Sequence, residues 1–178
     1  MMPILHVFVA LVVAAVAAGV GVFAQTPGAD IHYVPTSDAV VRAMLDVAHV
    51  TSADVVYDLG SGDGRIVIEA ARTYGARAVG IELDPELNKK ATKNAQKAGV
   101  TGKVKFVRAD FFKTDLSLAT VVTLFLSPSI NARLQPKLRR ELKSGARIVS
   151  HRFPMPPDWK PDRDLAVEGT HVFLWTIR

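Results

Sequence analysis

The sequence predicts an α/β fold with a doubly wound, mostly parallel sheet and helices on both of its faces. Short apolar runs of strand length alternate with segments of helical periodicity between residues 36 and 152. Asp84-Pro85 and Ser127-Pro128 each provide a helix cap followed by proline in the first turn. The last 14 or so residues predict an antiparallel hairpin that turns at residues 168–170. Right-handed crossovers in such a fold leave a ligand crevice at the carboxyl ends of the strands.

The individual elements follow in chain order. Residues 36–48 predict a helix with Thr36 as its cap, and apolar spacing predicts a second helix that stops at Gly75. The Asp84-Pro85 cap predicts a third helix, which ends around Gly99. A fourth helix begins after Ser127, and Pro136 is expected to break it into two pieces. The predicted strands are residues 55–59, 78–83, 104–107, 119–126, 146–152, 165–167 and 171–177, and the fourth lacks polar alternation, as in a strand buried on both faces.

Length and composition restrict the chemistry. The chain of 178 residues has room for one domain, predicted at residues 36–178 behind a linker at 26–35. Its lack of cysteine excludes disulfides, thiolate metal centres and thiol nucleophiles, and we expect no metal site. The net charge of +5 suits an acidic partner or a plain solvated surface. No dense basic run contains interleaved aromatic residues, so nucleic acid is not an expected partner.

A glycine-rich loop between the first strand and the next helix is the main functional signal. Residues 58–64 read Asp-Leu-Gly-Ser-Gly-Asp-Gly, and Glu82 lies at the end of the next strand. Alternating glycines let the backbone turn sharply and approach a ligand at a helix N-terminus. The carboxylate of Glu82 is placed to bind both hydroxyls of a ribose. The strand, loop and helix therefore predict a nucleoside-binding site.

The spacing and charge of this loop discriminate between cofactors. A nicotinamide fingerprint requires G-x-G-x-x-G, and a P-loop requires a Gly-Lys-Ser/Thr that is absent. Asp58 and Asp63 would repel a pyrophosphate but suit the ammonium and sulfonium of S-adenosylmethionine. Asp110, after the third strand, either contacts the adenine or caps a turn, and Phe111 either flanks the adenine or packs in the core.

Longer stretches resemble one methyltransferase family. They are residues 33–36 (YVPT), 56–65 (VYDLGSGDGR), 80–85 (GIELDP), 122–126 (VTLFL), 136–138 (PKL) and 147–151 (RIVSH). Over residues 33–162 the chain resembles the seven-strand lysine N-methyltransferases that act on the mitochondrial ATP synthase c subunit and the adenine nucleotide translocase, and their prokaryotic relatives. The resemblance implies a Rossmann-like methyltransferase sheet. The implied cofactor-binding residues are Asp58, Gly60, Gly62, Glu82 and Asp110, with Pro35 and Thr36 as a lid, and Ser61, Gly64, Leu83 and Phe111 complete the predicted set.

The acceptor side is predicted from the ends of the fourth and fifth strands. Methyl transfer is an in-line displacement, so the protein has to position two reactants in a dry pocket. We expect the backbone of Leu126 and Ser127, with Asn131 nearby, to orient an acceptor amine, although Ser127 is equally suited to capping the next helix. His151 is either a proton acceptor or a structural residue, and Trp159 either lines the acceptor pocket or packs.

These residues predict a protein-lysine N-methyltransferase that works near a membrane. The alternatives are methylation of a small amine or a phospholipid head group, and a non-catalytic module that binds S-adenosylmethionine. Residues 4–24 are almost uniformly apolar and long enough to cross a bilayer as a helix, so residues 1–25 are a membrane anchor or a cleaved signal peptide. Because the methyl donor is kept inside the cell, we expect an anchor with the catalytic domain in the cytoplasm. An exported protein with a cleaved signal peptide is the alternative.

Overall fold

The computed structural model describes residues 35–178, which form one seven-stranded sheet and four helices. The helices are α1 (Asp38–Val47), α2 (Arg65–Thr73), α3 (Pro85–Lys97) and α4 (Pro128–Glu141). The strands are β1 (Val55–Leu59), β2 (Arg77–Glu82), β3 (Val104–Arg108), β4 (Val121–Leu124), β5 (Arg147–His151), β6 (Arg163–Val167) and β7 (Thr170–Thr176). The predicted anchor at 1–25 and nearly all of the linker at 26–35 lie outside the described residues.

The sheet has the order β3-β2-β1-β4-β5-β7-β6, and the predicted fold class is confirmed. The pairs β1–β2, β1–β4, β2–β3 and β4–β5 are parallel. Strand β7 runs antiparallel to both β5 and β6, as predicted for the C-terminal hairpin. The first five strands therefore end at one edge of the sheet, and the order reverses between β1 and β4. A ligand crevice forms at such a switch point.

Helices cover both faces of the sheet. On one face, α1 and α2 bury Val40, Met44 and Val67 against the strands. On the other face, α4 packs Leu134 and Leu138 against the opposite side of the same strands. All four residues of β4 are buried, as its lack of polar alternation predicted.

Two local predictions were wrong. Ser37, rather than Thr36, caps α1, because the Ser37 hydroxyl accepts a hydrogen bond from the backbone N–H of Val40 whereas the Thr36 hydroxyl lies against His151. Helix α4 also runs without a break through Pro136. Leu134 and Leu138 on either side of the proline are fully buried, and this burial offsets the penalty of about 3 kcal/mol for an internal proline.

The boundaries of β4 were also predicted too widely. The strand spans only Val121–Leu124, so Leu126 and Ser127 lie in the connection to α4. Within residues 35–178, no helix is long and apolar enough to cross a membrane.

Candidate functional site

The glycine loop follows β1 and occupies backbone conformations that favour glycine. Gly60, Gly62 and Gly64 have φ values of +80°, +53° and +82°. The N–H groups of Gly60 and Ser61 both donate to the carbonyl of Ile81, at 2.8 and 3.1 Å. These bonds hold the loop against the end of β2, where Glu82 follows.

Several glycines also make room for close approaches. A Cβ on Gly60 would lie 3.2 Å from Leu126 Cδ2, in the connection between β4 and α4. A Cβ on Gly80 would come within 2.6 Å of the Ser61 hydroxyl. Gly80 was not among the predicted site residues, although a glycine inside a strand can mark a close approach, which here is made by the side chains of Ser61 and Phe106.

Glu82 lies directly beside the glycine loop. One carboxylate oxygen, Oε2, accepts a hydrogen bond from the N–H of Gly62 at 2.9 Å, and Oε1 accepts one from the N–H of Asp84 at the same distance. The side chain is only partly buried. Each oxygen keeps a second lone pair, so the carboxylate is fixed in place and retains acceptor capacity for two hydroxyl groups.

Asp58 is a buried acid at the base of the loop. Its carboxylate is 3% exposed and accepts a hydrogen bond of 2.7 Å from the hydroxyl of Thr123 on β4. Burial raises the pKa of Asp58 to about 7, against the lowering effect of the Thr123 bond, and the nearby charges of Glu82 and Asp63 raise it further. A cation bound in the loop would favour the ionised form, because it would compensate for this local excess of negative charge.

The predicted adenine side is built from the ends of β2 and β3. Leu83 is 61% exposed, and its carbonyl accepts a bond from Arg108. Asp110 Oδ1 accepts from the N–H of Phe112 at 2.9 Å, so its turn-capping function is realised. Phe111 is partly buried against the core, with its ring centroid 4.9 Å from that of Phe112. A contact of Asp110 or Phe111 with adenine stays a prediction.

The lid segment, residues 35–37, is held from two sides. Arg65 at the start of α2 donates from Nη1 to the carbonyl of Thr36 at 2.6 Å. The same guanidinium binds the carboxylate of Asp63 through Nε and Nη2, at 3.0 and 2.8 Å. On the opposite side, the Thr36 hydroxyl lies 3.2 Å from His151 Nδ1. The predicted lid residue therefore joins the glycine loop to the end of β5, and Arg65 was not predicted.

His151 and Phe125 lie at the ends of β5 and β4, on the predicted acceptor side. His151 is buried, and its pKa is lowered by that burial and by the charge of Arg152. The rings of His151 and Phe125 have centroids 4.1 Å apart. Arg152 adopts a positive φ of 67°, which is rare for a residue with a side chain and marks a constrained turn at the end of β5.

Ser127 and Asn131, the other two predicted acceptor residues, have different structural roles. Ser127 caps α4, accepting from the N–H of Ile130 at 3.4 Å. Asn131 is fully buried, and its amide N–H donates to the carbonyl of Phe153 at 2.9 Å, so it anchors the chain after β5. Its Oδ1 is buried without a hydrogen-bond partner. Orientation of an acceptor by Ser127 or Asn131 stays a prediction.

Trp159 lies away from this edge. Its carbonyl accepts from Trp175 Nε1 at 2.8 Å, and Arg139 stacks over its ring at 4.0 Å. Trp175 pairs with Ile148, near the start of β5, so Trp159 packs toward the opposite end of the strands. The packing alternative for Trp159 is the one the structure favours.

These residues fit a positively charged adenosyl cofactor. The loop carries the acidic side chains of Asp58 and Asp63 and lies beside Glu82. Its alternating glycines have no Cβ atoms that would obstruct a ligand. Within the loop, the Ser61 hydroxyl is buried without a hydrogen-bond partner. Residues 35–178 contain no group of His, Asp or Glu that could hold a metal ion. The site is therefore suited to a nucleoside with a cationic tail.

Comparison with known proteins also indicates a methyltransferase, in agreement with a cationic adenosyl cofactor. Residues 58–163 match the model of the ANTKMT methyltransferase domain. The chain is 48% identical over 150 residues to a protein-lysine N-methyltransferase of Saccharolobus islandicus (strain REY15A), covering 82% of this chain and 92% of that protein. It is 43% identical to the adenine nucleotide translocase lysine N-methyltransferase of Mus musculus, covering 72% of this chain and 56% of that protein. It thus spans little more than half of this mouse relative.

A solved structure is also similar over nearly its whole length. An RNA methyltransferase from Salinibacter ruber, in complex with S-adenosyl-L-homocysteine, is 57% identical with a TM-score of 0.79. The match covers 81% of this chain and 94% of that one. Because S-adenosylhomocysteine is what remains of S-adenosylmethionine after it gives up its methyl group, S-adenosylmethionine is the cofactor.

Proposed function

Because this chain belongs to the family of the ANTKMT methyltransferase domain and is an S-adenosylmethionine-dependent methyltransferase, we propose that its methyl acceptor is the side-chain amine of a lysine in a protein substrate. The observation that carries this proposal is the similarity to the S. islandicus protein-lysine N-methyltransferase along nearly the whole of that protein. The buried, partly aromatic end of β5 supports it.

The bound cofactor supplies a methyl group on a sulfonium, and the protein has to bring a neutral amine to it. A lysine with an ordinary pKa near 10.4 costs about 4.6 kcal/mol to deprotonate at pH 7. An apolar pocket reduces that cost, because burial disfavours the ammonium form. Phe125, Phe153 and His151 supply such surroundings at the ends of β4 and β5.

The same groups restrict the acceptor's position. Asn131 fixes the carbonyl of Phe153, and the Ser150 hydroxyl donates to that carbonyl as well, at 2.6 Å. Two donors on one carbonyl hold the chain after β5 rigidly, and rigid positioning is the main contribution that a protein makes to an in-line displacement. His151, whose pKa is lowered, is neutral near pH 7 and adds no charge that would repel an amine.

RNA is the second candidate acceptor, because the similar S. ruber protein is described as an RNA methyltransferase. Residues 87–109 contain seven Lys or Arg and no Asp or Glu, which suits a polyanion. The one aromatic residue in that range, Phe106, packs against the core and offers no platform for stacking a base. We therefore favour a protein acceptor.

The test is methyl transfer from tritiated S-adenosylmethionine by the full chain to an extract of its own cells. Label is followed into protein, lipid and RNA fractions, and labelled protein is hydrolysed to identify the methylated amino acid. Methyl-lysine that is absent with Glu82→Gln supports the proposal. Label in RNA or lipid alone, or on another amino acid, would reject it.

We further propose that residues 1–25 anchor the enzyme in a membrane, with the catalytic domain in the cytoplasm. The apolar run at 4–24 supports an anchor, and the need for an intracellular methyl donor supports this orientation. Exposed Lys89, Lys93 and Lys97 follow one another at four-residue intervals along α3, and such a basic stripe is attracted to anionic lipid. A membrane protein would then be an accessible substrate.

Protease treatment of intact cells and of inverted membrane vesicles tests this orientation. We expect the catalytic domain to be protected in cells and digested in inverted vesicles, with the N-terminal segment still attached. A mature protein that begins after Ala24, or a domain digested from outside, would instead establish the exported alternative.

A further inference from the structure

Thr36 is bonded to both halves of the site through different atoms. Its backbone carbonyl accepts a hydrogen bond from Arg65, which also donates two hydrogen bonds to Asp63 of the glycine loop. Its hydroxyl bonds to His151 on β5, 115 residues away in the chain. Thr36 is 4% exposed and its bond to His151 is buried, whereas its bond to Arg65 is partly buried. No other residue of the lid segment joins the glycine loop to β5 among the bonds in residues 35–178.

We propose that Thr36 mechanically couples the donor side to the acceptor side, with Arg65 and His151 as positioning residues at its two ends. The proposal goes beyond methyl transfer itself, because it assigns a function to Arg65 and makes His151 a support of the lid rather than a proton acceptor. The donor side is the glycine loop at residues 58–64, and the acceptor side is the turn at residues 151–154.

The geometry favours a two-way transmission. The guanidinium of Arg65 is planar and holds Asp63 with two parallel bonds, so a shift of the loop carries the guanidinium with it. Its bond from Nη1 then moves the carbonyl of Thr36. The side chain of Thr36 then moves against the ring of His151, which is packed on Phe125 and leads into the turn at Arg152.

The coupling can be measured at the backbone amides of the turn after His151. The N–H of Arg152 donates to the carbonyl of His171 at 2.7 Å, and the N–H of Phe153 donates to the carbonyl of His151 at 2.8 Å. If S-adenosylhomocysteine in the loop steadies Thr36 and His151, these two amides should open less often. Their exchange with solvent deuterium reports that opening.

The experiment is hydrogen exchange of the full chain, followed by mass spectrometry, with and without S-adenosylhomocysteine. The ligand is expected to slow exchange in peptides spanning 36–41 and 148–155. Thr36→Val lacks the hydroxyl but keeps the carbonyl. In this variant the ligand should still slow exchange at residues 36–41 but should no longer slow it at residues 148–155. Thr36→Ser restores the hydroxyl and should restore the second effect.

Arg65→Gln tests the donor end. It should abolish both ligand effects and weaken binding of S-adenosylhomocysteine in calorimetry by about tenfold, the loss expected for a charged hydrogen bond. Arg72→Gln is the matched control, because it also removes an arginine–acid pair from α2, with Glu69, and does not touch the lid. It should leave binding and exchange unchanged.

Three results would overturn the proposal. The first is ligand-induced protection of residues 148–155 that persists in Thr36→Val or in Arg65→Gln, and the second is protection that is absent in the wild-type chain. An equal loss in Thr36→Ser would also overturn it, since the hydroxyl would then be irrelevant. Because no methyl acceptor is used, the outcome is independent of whether lysine is the substrate.

Discussion

Asp58→Asn is expected to stabilise the ligand-free protein and to weaken its binding of S-adenosylmethionine. The carboxylate of Asp58 is buried, and burial together with the charges of Glu82 and Asp63 raises its pKa from 3.8 to about 7. The folded state therefore favours the protonated acid, and keeping the ionised form above pH 7 is unfavourable. Asparagine has a similar shape, retains an oxygen that accepts from Thr123, and has no charge.

The size and pH dependence follow from linkage. A folded-state pKa that is raised contributes stability that is fully present below the unfolded pKa of 3.8 and is lost as the pH rises through about 7. At about 1.4 kcal/mol per pKa unit, the loss in the wild-type protein reaches about 4 kcal/mol above pH 7. Asparagine does not titrate, so the stability difference should grow from near zero at pH 4 to about 4 kcal/mol at pH 8.

Urea unfolding of both ligand-free proteins between pH 4 and pH 8 measures this difference. Glu86→Gln, at an exposed position in the first turn of α3, has the same change of charge and serves as the control. Its stability difference should stay small across the range. A loss of stability in Asp58→Asn at pH 8, or a gain that does not depend on pH, would refute the buried-charge reasoning.

Three further predictions concern the cofactor site, two on binding and one on stability. Because the cationic cofactor favours ionised Asp58, binding of S-adenosylmethionine should release protons near pH 6.5 and tighten as the pH rises through about 7. Calorimetry in buffers of different ionisation enthalpy measures the proton release, which Asp58→Asn should abolish. Glu82→Gln should weaken S-adenosylmethionine binding by about a hundredfold through its ribose contacts, whereas Glu86→Gln should bind normally; equal affinities would show that Glu82 does not hold the ribose. Gly60→Ala should destabilise the protein by about 1 to 2 kcal/mol in urea unfolding, because φ is +80° at this position and the new Cβ would meet Leu126 at 3.2 Å. An unchanged unfolding midpoint would mean that the loop relaxes freely.

Most of the fold could be predicted because its signals are local. Apolar runs and helical spacing located the strands and most of the helices, and the Asp84-Pro85 and Ser127-Pro128 pairs located two helix starts within one residue. The error at Pro136 has a different origin. Proline disfavours a helix interior by a local clash, but tertiary burial of the leucines on either side stabilises the helix across it, and a local reading does not include that burial.

The sequence predicted which residues lie together on the donor side more completely than on the acceptor side. The glycine loop is continuous in the chain, and Glu82 follows it by a fixed strand–helix–strand spacing, so sequence order alone places them together. Arg65 was missed because its partner Thr36 lies in a segment before β1, where no spacing rule applies. Trp159 was considered for the acceptor pocket because it follows β5, although its chain folds back toward the start of that strand.

The sequence by itself determined the parallel sheet, the glycine loop with its acidic partners, and a cationic adenosyl cofactor, since each depends on residues within one strand–loop–helix unit. Only the tertiary structure decided that Thr36 contacts both Arg65 and His151, that Asp58 loses its water, and that Asn131 is buried under the chain after β5. Burial and long-range hydrogen bonds depend on which elements meet across the sheet. That order is set by packing of the whole domain rather than by any single segment.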